Sequence, residues 1–324
     1  MGIVLSKENV SEKTEMRAAY CEGLMELARD NWDIIALDAD LMGAMGTKPF
    51  QKMYPERAVD CGVQEANLFG VAAGMSAVGY IPFAHTFACF ASRRACDQIF
   101  ISGAYARLNV KVVGSDPGIT AMLNGGTHMA FEDMGIMRGI PDMTVLEPTD
   151  TVMLKALMHQ VVGKYGMHYL RLVRKNVNKV YEEGSSFEIG KAVLLREGGD
   201  LTIVSSGYCV AESIKATEIL AEQGIEARHL NMFTWKPLDE AAIIRAAEET
   251  GAIVTAENHN TVTGLASAVA SVLSEHCPVW LETVGVRDEF GDVGSIEYLS
   301  ERYKLSAPHI VTAAKKALAK KAGR

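Results

Sequence analysis

Three stretches of this chain place reactive residue types where they could do chemistry. Glu65 lies in DCGVQEANLFG, residues 60–70, among glycine, small apolar side chains and amides, and the following VAAGMSAVGY carries no charge. A carboxylate bordering such a run either caps a helix from solvent or is buried for a purpose. Position alone leaves both readings open. In SDPGITAMLNGGTHMAFED, residues 115–133, Gly125 and Gly126 either let backbone approach a ligand closely and present Thr127 and His128 beside it, or form a glycine-rich turn that carries a surface histidine. HTFACFASRRACDQIF, residues 85–100, sets Phe87 and Phe90 three apart and follows them with two arginines. By themselves, aromatics at that spacing read as core.

The elements that must hold these residues follow an alternating rhythm. EMRAAYCEGLMELARDN predicts a helix and WDIIALDADL a buried strand; ERAVDCGV, IPFAHTF, NVKVVGSD, DMTVLEP and HYLRLVR predict further strands. Between them, EANLFGVAAGMSAVG, ASRRACDQIFISGAYAR and TDTVMLKALMHQVVGKYG predict helices. Strands alternating with helices imply a parallel sheet covered on both faces. The polar, glycine-bearing RKNVNKVYEEGSSFEIG interrupts the rhythm and predicts an inter-domain linker near residues 175–190. A second series follows, with strands at DLTIVSSG, EARHLNMFT, GAIVTAEN and PVWLETVGV and helices from about Val210, Asp239, Gly264 and Ala307. In sheets of this kind ligands bind beyond the carboxyl ends of the strands. Those ends hold Asp38, Asp40, Glu65, Thr86, Phe87, Asp116, Glu257, Arg287 and Asp288.

A chain of 324 residues exceeds the roughly 250–300 residues at which one core stops growing, which predicts two domains. Thirty-two basic against 40 acidic residues give a net charge of −8 without a basic stripe, which argues against nucleic acid. The lysine-rich C-terminus suits the carbonyl end of a final helix. Six scattered cysteines without a CxxC pair fit a reducing cytoplasm. No signal-peptide core and no apolar run of about 20 residues point to a membrane. The glycine patterns match neither GxGxxG nor a P-loop, and no metal-ligand spacing or GxSxG elbow occurs, so nicotinamide, nucleotide, metalloenzyme and hydrolase readings are weak.

Several motifs in one order carry a resemblance. D-x-G-V-x-E-x-N at 60–67, PFAHTFACF at 82–90, RRACDQI at 93–99 and NGGTHMAFED at 124–133 resemble the C-terminal half of transketolase; MFTWKPLD at 232–239 and TAENHNTVTGLASAVA at 255–270 resemble that family's C-terminal domain. The resemblance spans nearly the whole chain. It implies an α/β fold of two three-layer α/β/α domains, a thiamine-diphosphate pyrimidine-binding domain over 1–180 and a smaller C-terminal domain over 190–324. The implied activity is thiamine-diphosphate-dependent transfer of a two-carbon ketol unit from a ketose phosphate to an aldose phosphate. Glu65 would hydrogen-bond N1′ of the aminopyrimidine, Phe87 and Phe90 would flank that ring, and Asp40, Leu41, Val63 and Arg93 would lie beside the thiamine. His128 would contact the reacting hydroxyl region of the substrate, with Arg17 and Arg174 on the sugar phosphate, for which guanidinium geometry is suited.

The resemblance also marks departures. Asn124 stands where many transketolases have a donor-contacting aspartate, Asp116 about where some have a phosphate-contacting histidine, Arg93 near an aromatic position and Ala44 near a phosphate-binding serine. A negative charge at Asp116 pointing into the channel would repel a phosphate dianion. The family's GDG motif, which holds metal and diphosphate, is absent from the sequence. The resemblance therefore implies the C-terminal subunit of a split transketolase, whose N-terminal partner carries GDG and holds the diphosphate with Mg2+ or Ca2+, in a self-associating assembly such as a heterotetramer. Other readings are a deoxyxylulose-phosphate synthase-like chain, the β subunit of a 2-oxoacid dehydrogenase, or a non-catalytic assembly protein.

Overall fold

The computed structural model describes residues 2–7 and 9–323. Its first half runs α1 (Met16–Asp30), β1 (Ile34–Asp38), α2 (Met42–Met45), α3 (Lys48–Met53), β2 (Ala58–Asp60), α4 (Glu65–Ala77) and β3 (Ile81–Phe87), then β4 (Lys111–Ser115), α5 (Asp133–Arg138), β5 (Thr144–Leu146), α6 (Thr151–Gly163) and β6 (His168–Leu172). The second half runs β7 (Val193–Arg196), β8 (Leu201–Ser205), α7 (Tyr208–Glu222), β9 (Ala227–Asn231), β10 (Thr234–Lys236), α8 (Glu240–Thr250), β11 (Ala252–Asn260), α9 (Leu265–His276), β12 (Trp280–Val286), α10 (Ile296–Arg302) and α11 (Ala307–Ala322). β1, β4, β6 and β8 are buried at every residue, as strands covered by helices on both faces must be. The basic C-terminal run forms the last turns of α11, and Arg324 lies outside the described residues.

The strands form two sheets, ordered β10-β5-β6-β4-β3-β1-β2 and β12-β11-β8-β9-β7. Pairing is parallel except at two edges, where β10 runs against β5 and β7 against β9. EARHLNMFT, expected as one strand, ends at Asn231, and the next residues cross to the first sheet as β10. Trp235 on β10 is buried and belongs to an apolar cluster reaching from Leu37 and Phe69 to Ile253 and Val269, so the two halves share a core. The segment expected as a linker pairs with the N-terminal arm, Leu5 with Tyr181 and Ser11 with Asn178.

The helix expected over 91–107 is instead two π-helical stretches, Phe90–Arg94 and Gln98–Tyr105, broken at Ala95. Buried Ser92 donates its hydroxyl to Ala88 O at 2.7 Å, a bond to the fourth preceding carbonyl of the kind that bends helices. The strand expected over 56–63 keeps only Ala58–Asp60, because Gly62 takes φ +69 and turns the chain towards α4.

A fully buried guanidinium ties the layers together. Arg171 on β6 donates from Nε and Nη2 to the two oxygens of Asp133, both at 2.8 Å, and from Nη1 to Glu147 at 2.7 Å. Nη2 also reaches Ala130 O at 3.1 Å and Asn258 O, on β11 of the second sheet, at 3.0 Å. Glu147 in turn accepts from Ser206, which accepts from the Trp235 indole at 2.8 Å. Removing the cation leaves two buried carboxylates without their counter-charge. Arg171→Ala is expected to cost about 3–5 kcal/mol in urea unfolding, and a loss under 1 kcal/mol would show the network to be dispensable.

Candidate active site

Glu65 is the first residue of α4 and is 1% exposed. Its setting is not the purely apolar one expected: Arg94 Nη1 donates to Glu65 Oε2 at 2.9 Å, and Oε1 makes no hydrogen bond among the described residues. The Arg94 guanidinium also stacks over the Phe90 ring, 4.4 Å from its centroid. Arg94 was not among the residues singled out from sequence, where its neighbour Arg93 was. The available signal was spacing, since Arg94 follows Phe90 by four residues and a helical turn lays it back over the ring.

The aromatic side of the site is a three-ring wall. Phe87 and Phe90 are 6.1 Å apart by centroid, and His128 meets both edge-on at 5.7 and 5.2 Å. Leu41 and Ala44 pack against the same cluster. The Leu41 turn is fixed by buried Asp38, whose carboxylate accepts from Leu41 N–H and lies 2.9 Å from His85. Asp40 is exposed with φ +60, and its N–H donates to Asp60 at 2.9 Å. Val63, 68% exposed in the turn before α4, and exposed Asn124 are not among the residues packed on this wall.

His128 is presented by a loop that grips the second domain. A Cβ at Gly126 would come within 2.3 Å of Gly291 O, and one at Gly125 within 2.8 Å of Val293. These glycines therefore serve a domain contact, where the sequence suggested approach to a ligand. Arg93 straps the loop from the other side, with Nη2 donating to Thr127 O at 3.0 Å and Nε 3.1 Å from Glu132. Partial burial, then Arg93 and Arg94, lower the His128 pKa, so its ring is neutral at pH 7.

Arg17, Arg174 and Asp116 form a neighbouring charged group. The Arg174 guanidinium carbon stands 5.7 Å from the centroid of the Phe87 ring, which places this group beside the aromatic wall. Its Nε is 3.0 Å from Asp116 Oδ1, at an angle outside hydrogen-bond geometry. Arg17 donates to Glu15 at 2.6 Å and to Ala44 O at 2.9 Å. Lys175, absent from the sequence reading, joins Glu15 at 3.1 Å. The other strand-end candidates are structural: Glu257 accepts from Leu265 and Ala266 N–H at 2.6 and 2.8 Å and so caps α9, and exposed Arg287 donates to Thr283.

Burial, opposed by Arg174, Ser115 and Arg17, raises the Asp116 pKa to about 6 from 3.8. Between those values the folded chain binds a proton that the unfolded chain does not, so this group's contribution falls as pH rises from about 4 to 6. Relative to Asp116→Asn, the wild type should lose up to about 3 kcal/mol between pH 4 and 7 in paired unfolding curves. A pH-independent difference would mean that Asp116 titrates normally.

With this geometry in view, the likenesses to known proteins agree. Residues 12–179 match the model of the transketolase pyrimidine-binding domain and residues 190–310 that of the transketolase C-terminal domain. The 6-deoxy-6-sulfo-D-fructose transketolase subunit of Clostridium sp. (strain MSTE9) is 54% identical over 303 residues, 94% of each chain. One of the subunits of the apulose-4-phosphate transketolase of Phocaeicola vulgatus is 36% identical over 84% of this chain and 88% of its own. A solved split-gene transketolase, described as an inactive β4 tetramer, superposes with a TM-score of 0.89 at 42% identity, covering 95% of this chain and 99% of that one. The transketolase of Campylobacter jejuni shares the fold, with a TM-score of 0.80, and this chain covers 47% of it. The chain belongs to the transketolase family, whose pyrimidine-binding and C-terminal domains it carries in that order.

Proposed function

We propose that this chain is the C-terminal subunit of a two-chain, thiamine-diphosphate-dependent transketolase that moves a two-carbon ketol unit between sugars bearing a terminal anion. The observation that carries this reading is Glu65: a buried carboxylate at the start of α4, anchored through Oε2 by Arg94, with Oε1 left without a hydrogen bond among the described residues. The site's residues fit the cofactor's pyrimidine end. Phe87, Phe90 and Leu41 offer apolar surface for a flat ring, and Glu65 Oε1 offers an acceptor for the proton at N1′. When bound, thiamine diphosphate supplies the carbon centre that takes up and releases the two-carbon unit.

The remaining roles fall to side chains of this chain. Glu65 holds the N1′ proton, and the Arg94 contact fixes the carboxylate's orientation. The neutral imidazole of His128 is suited to accept or return a proton at a substrate hydroxyl. Arg174 and Arg17 receive the anion at the far end of the sugar; the phosphate expected from sequence is one such group.

The diphosphate and its metal are assigned to the partner. The sequence has no GDG, and the described residues hold no cluster of three or more metal-ligating side chains. Among them no helix is long and apolar enough to cross a membrane. A cytoplasmic setting, where sugar substrates and reduced thiols are found together, is part of the proposal. The names of the two relatives as transketolase subunits, and of the solved β4 assembly as inactive, support a divided enzyme. A heterotetramer of two copies of each chain fits this division.

The purified chain alone should show no ketol transfer, and a co-expressed GDG-bearing chain should restore it. Turnover by the single chain would refute the divided enzyme. Glu65→Gln should lower transfer in the complex by at least about 10³-fold while sedimentation shows assembly intact. Full activity in that variant would remove the proton role, and use of pyruvate in place of a ketose would assign the chain to the synthase or dehydrogenase alternatives.

A further inference from the structure

The anion end of the site is built from charges that already neutralise one another. The chain leaving β6 lies beside the start of α1, where Met16 N–H donates to Lys175 O at 3.1 Å and Arg17 N–H to Arg174 O at 3.4 Å. That contact gathers Arg17, Arg174 and Lys175 into one place. Two carboxylates are built in with them: Glu15 takes Arg17 and Lys175, and fully buried Asp116 lies against Arg174, held by Ser115 at 3.1 Å. Three cations against two carboxylates leave one positive charge in surplus. The donors left open are the terminal nitrogens of Arg174 and Nη2 of Arg17, which make no hydrogen bond among the described residues. Their side chains are 20% and 24% exposed, so an anion could reach them without leaving full solvent screening in place.

We propose that Asp116, seconded by Glu15, makes this subsite selective for a singly charged terminal group, a sulfonate, over the doubly charged phosphate of the same ketose. This rests on the ketol-transfer reading above. Sulfonate and phosphate monoesters each present three acceptor oxygens to the same guanidinium donors, so hydrogen bonding separates them little. Charge separates them. A phosphate monoester carries about 1.5 to 2 negative charges near pH 7, while a sulfonate carries one at every working pH. One surplus positive charge matches the sulfonate, whereas the phosphate leaves negative charge uncompensated beside a buried carboxylate, where interactions are less screened than in water. The named relatives include both classes, a sulfo-sugar enzyme and a sugar-phosphate enzyme, and the former is the more similar at 54% against 36% identity.

The test uses the complex with its GDG-bearing partner, an uncharged aldehyde acceptor and three donors: 6-deoxy-6-sulfofructose, fructose 6-phosphate and fructose. The wild type should favour the sulfonate over the phosphate by about tenfold or more in kcat/KM. Asp116→Asn should narrow that ratio by about tenfold, through the KM of the phosphate donor. Glu15→Gln, at a more exposed position, should shift it in the same direction and serves if the first variant does not fold. Equal or better use of the phosphate by the wild type overturns the proposal, as does a parallel change of all three donors in both variants. Turnover of fructose with no gain from either anion also overturns it and leaves the transketolase reading standing. Absence of transfer from every donor sinks that reading instead.

Discussion

The buried Arg171 guanidinium is the constraint on which the rest of the molecule depends. A cation taken from water is tolerated only where several acceptors replace its hydration, and here the acceptors come from four residues on separate parts of the fold. Asp133 begins α5 directly after the His128 loop, Ala130 O belongs to that loop, Glu147 follows β5, and Asn258 O sits on the second sheet. Polar networks of this kind are worth most when complete, because one missing partner strands the others in low dielectric. The position of His128 over Phe87 and Phe90 is thus fixed by the same charge balance that docks the two sheets.

That rigidity explains how the Glu65 pocket and the aromatic wall are well formed in a single chain. Glu65 is set by the first turn of α4 and by Arg94; Phe87 ends β3, and Phe90 opens the π-helical stretch. These elements pack on the shared core, so their side chains lose little further freedom when a flat ring enters between them. The open face is the one towards Glu65 Oε1, to which no donor among the described residues hydrogen-bonds.

Much of this architecture was readable in the sequence because buried parallel strands are continuous apolar runs; IPFAHTF became β3, and the centre of WDIIALDADL, Ile34–Asp38, became β1. Glu65 and His128 were readable as chemical oddities in small-residue surroundings. What escaped was set by long-range partners. The crossing of β10 to the first sheet depends on Trp235 meeting Ser206 and the shared core, and no local propensity encodes that. The breaking of the helix at Ala95 depends on a buried serine's hydrogen bond. Gly125 and Gly126 were legible as close-approach positions, but their target, the backbone near Gly291, lies more than 150 residues away in the chain. Arg94 escaped because its importance arises from two contacts at once, a carboxylate 29 residues earlier and a ring one turn before.

Two of the strained backbone positions, Asp116 and Met122, lie in the same region. Asp116, Gly118, Met122 and Gly125 all adopt positive φ, between +50 and +73, in the span that joins β4 to the His128 loop. For side chains other than glycine such a conformation costs on the order of 1–2 kcal/mol and persists only where surrounding contacts fix it. The fixing contacts are present: Asn258 accepts from Ile119 N–H at 2.9 Å and donates to Pro117 O at 3.2 Å, and a Cβ at Gly118 would strike Asn258 at 2.2 Å. The second domain thus holds the first domain's loop after β4 in a shape the loop would not adopt alone. Asp116 is aimed at Arg174 by that shape, so the charge balance of the Arg17, Arg174 and Asp116 group depends on the docking of the second domain.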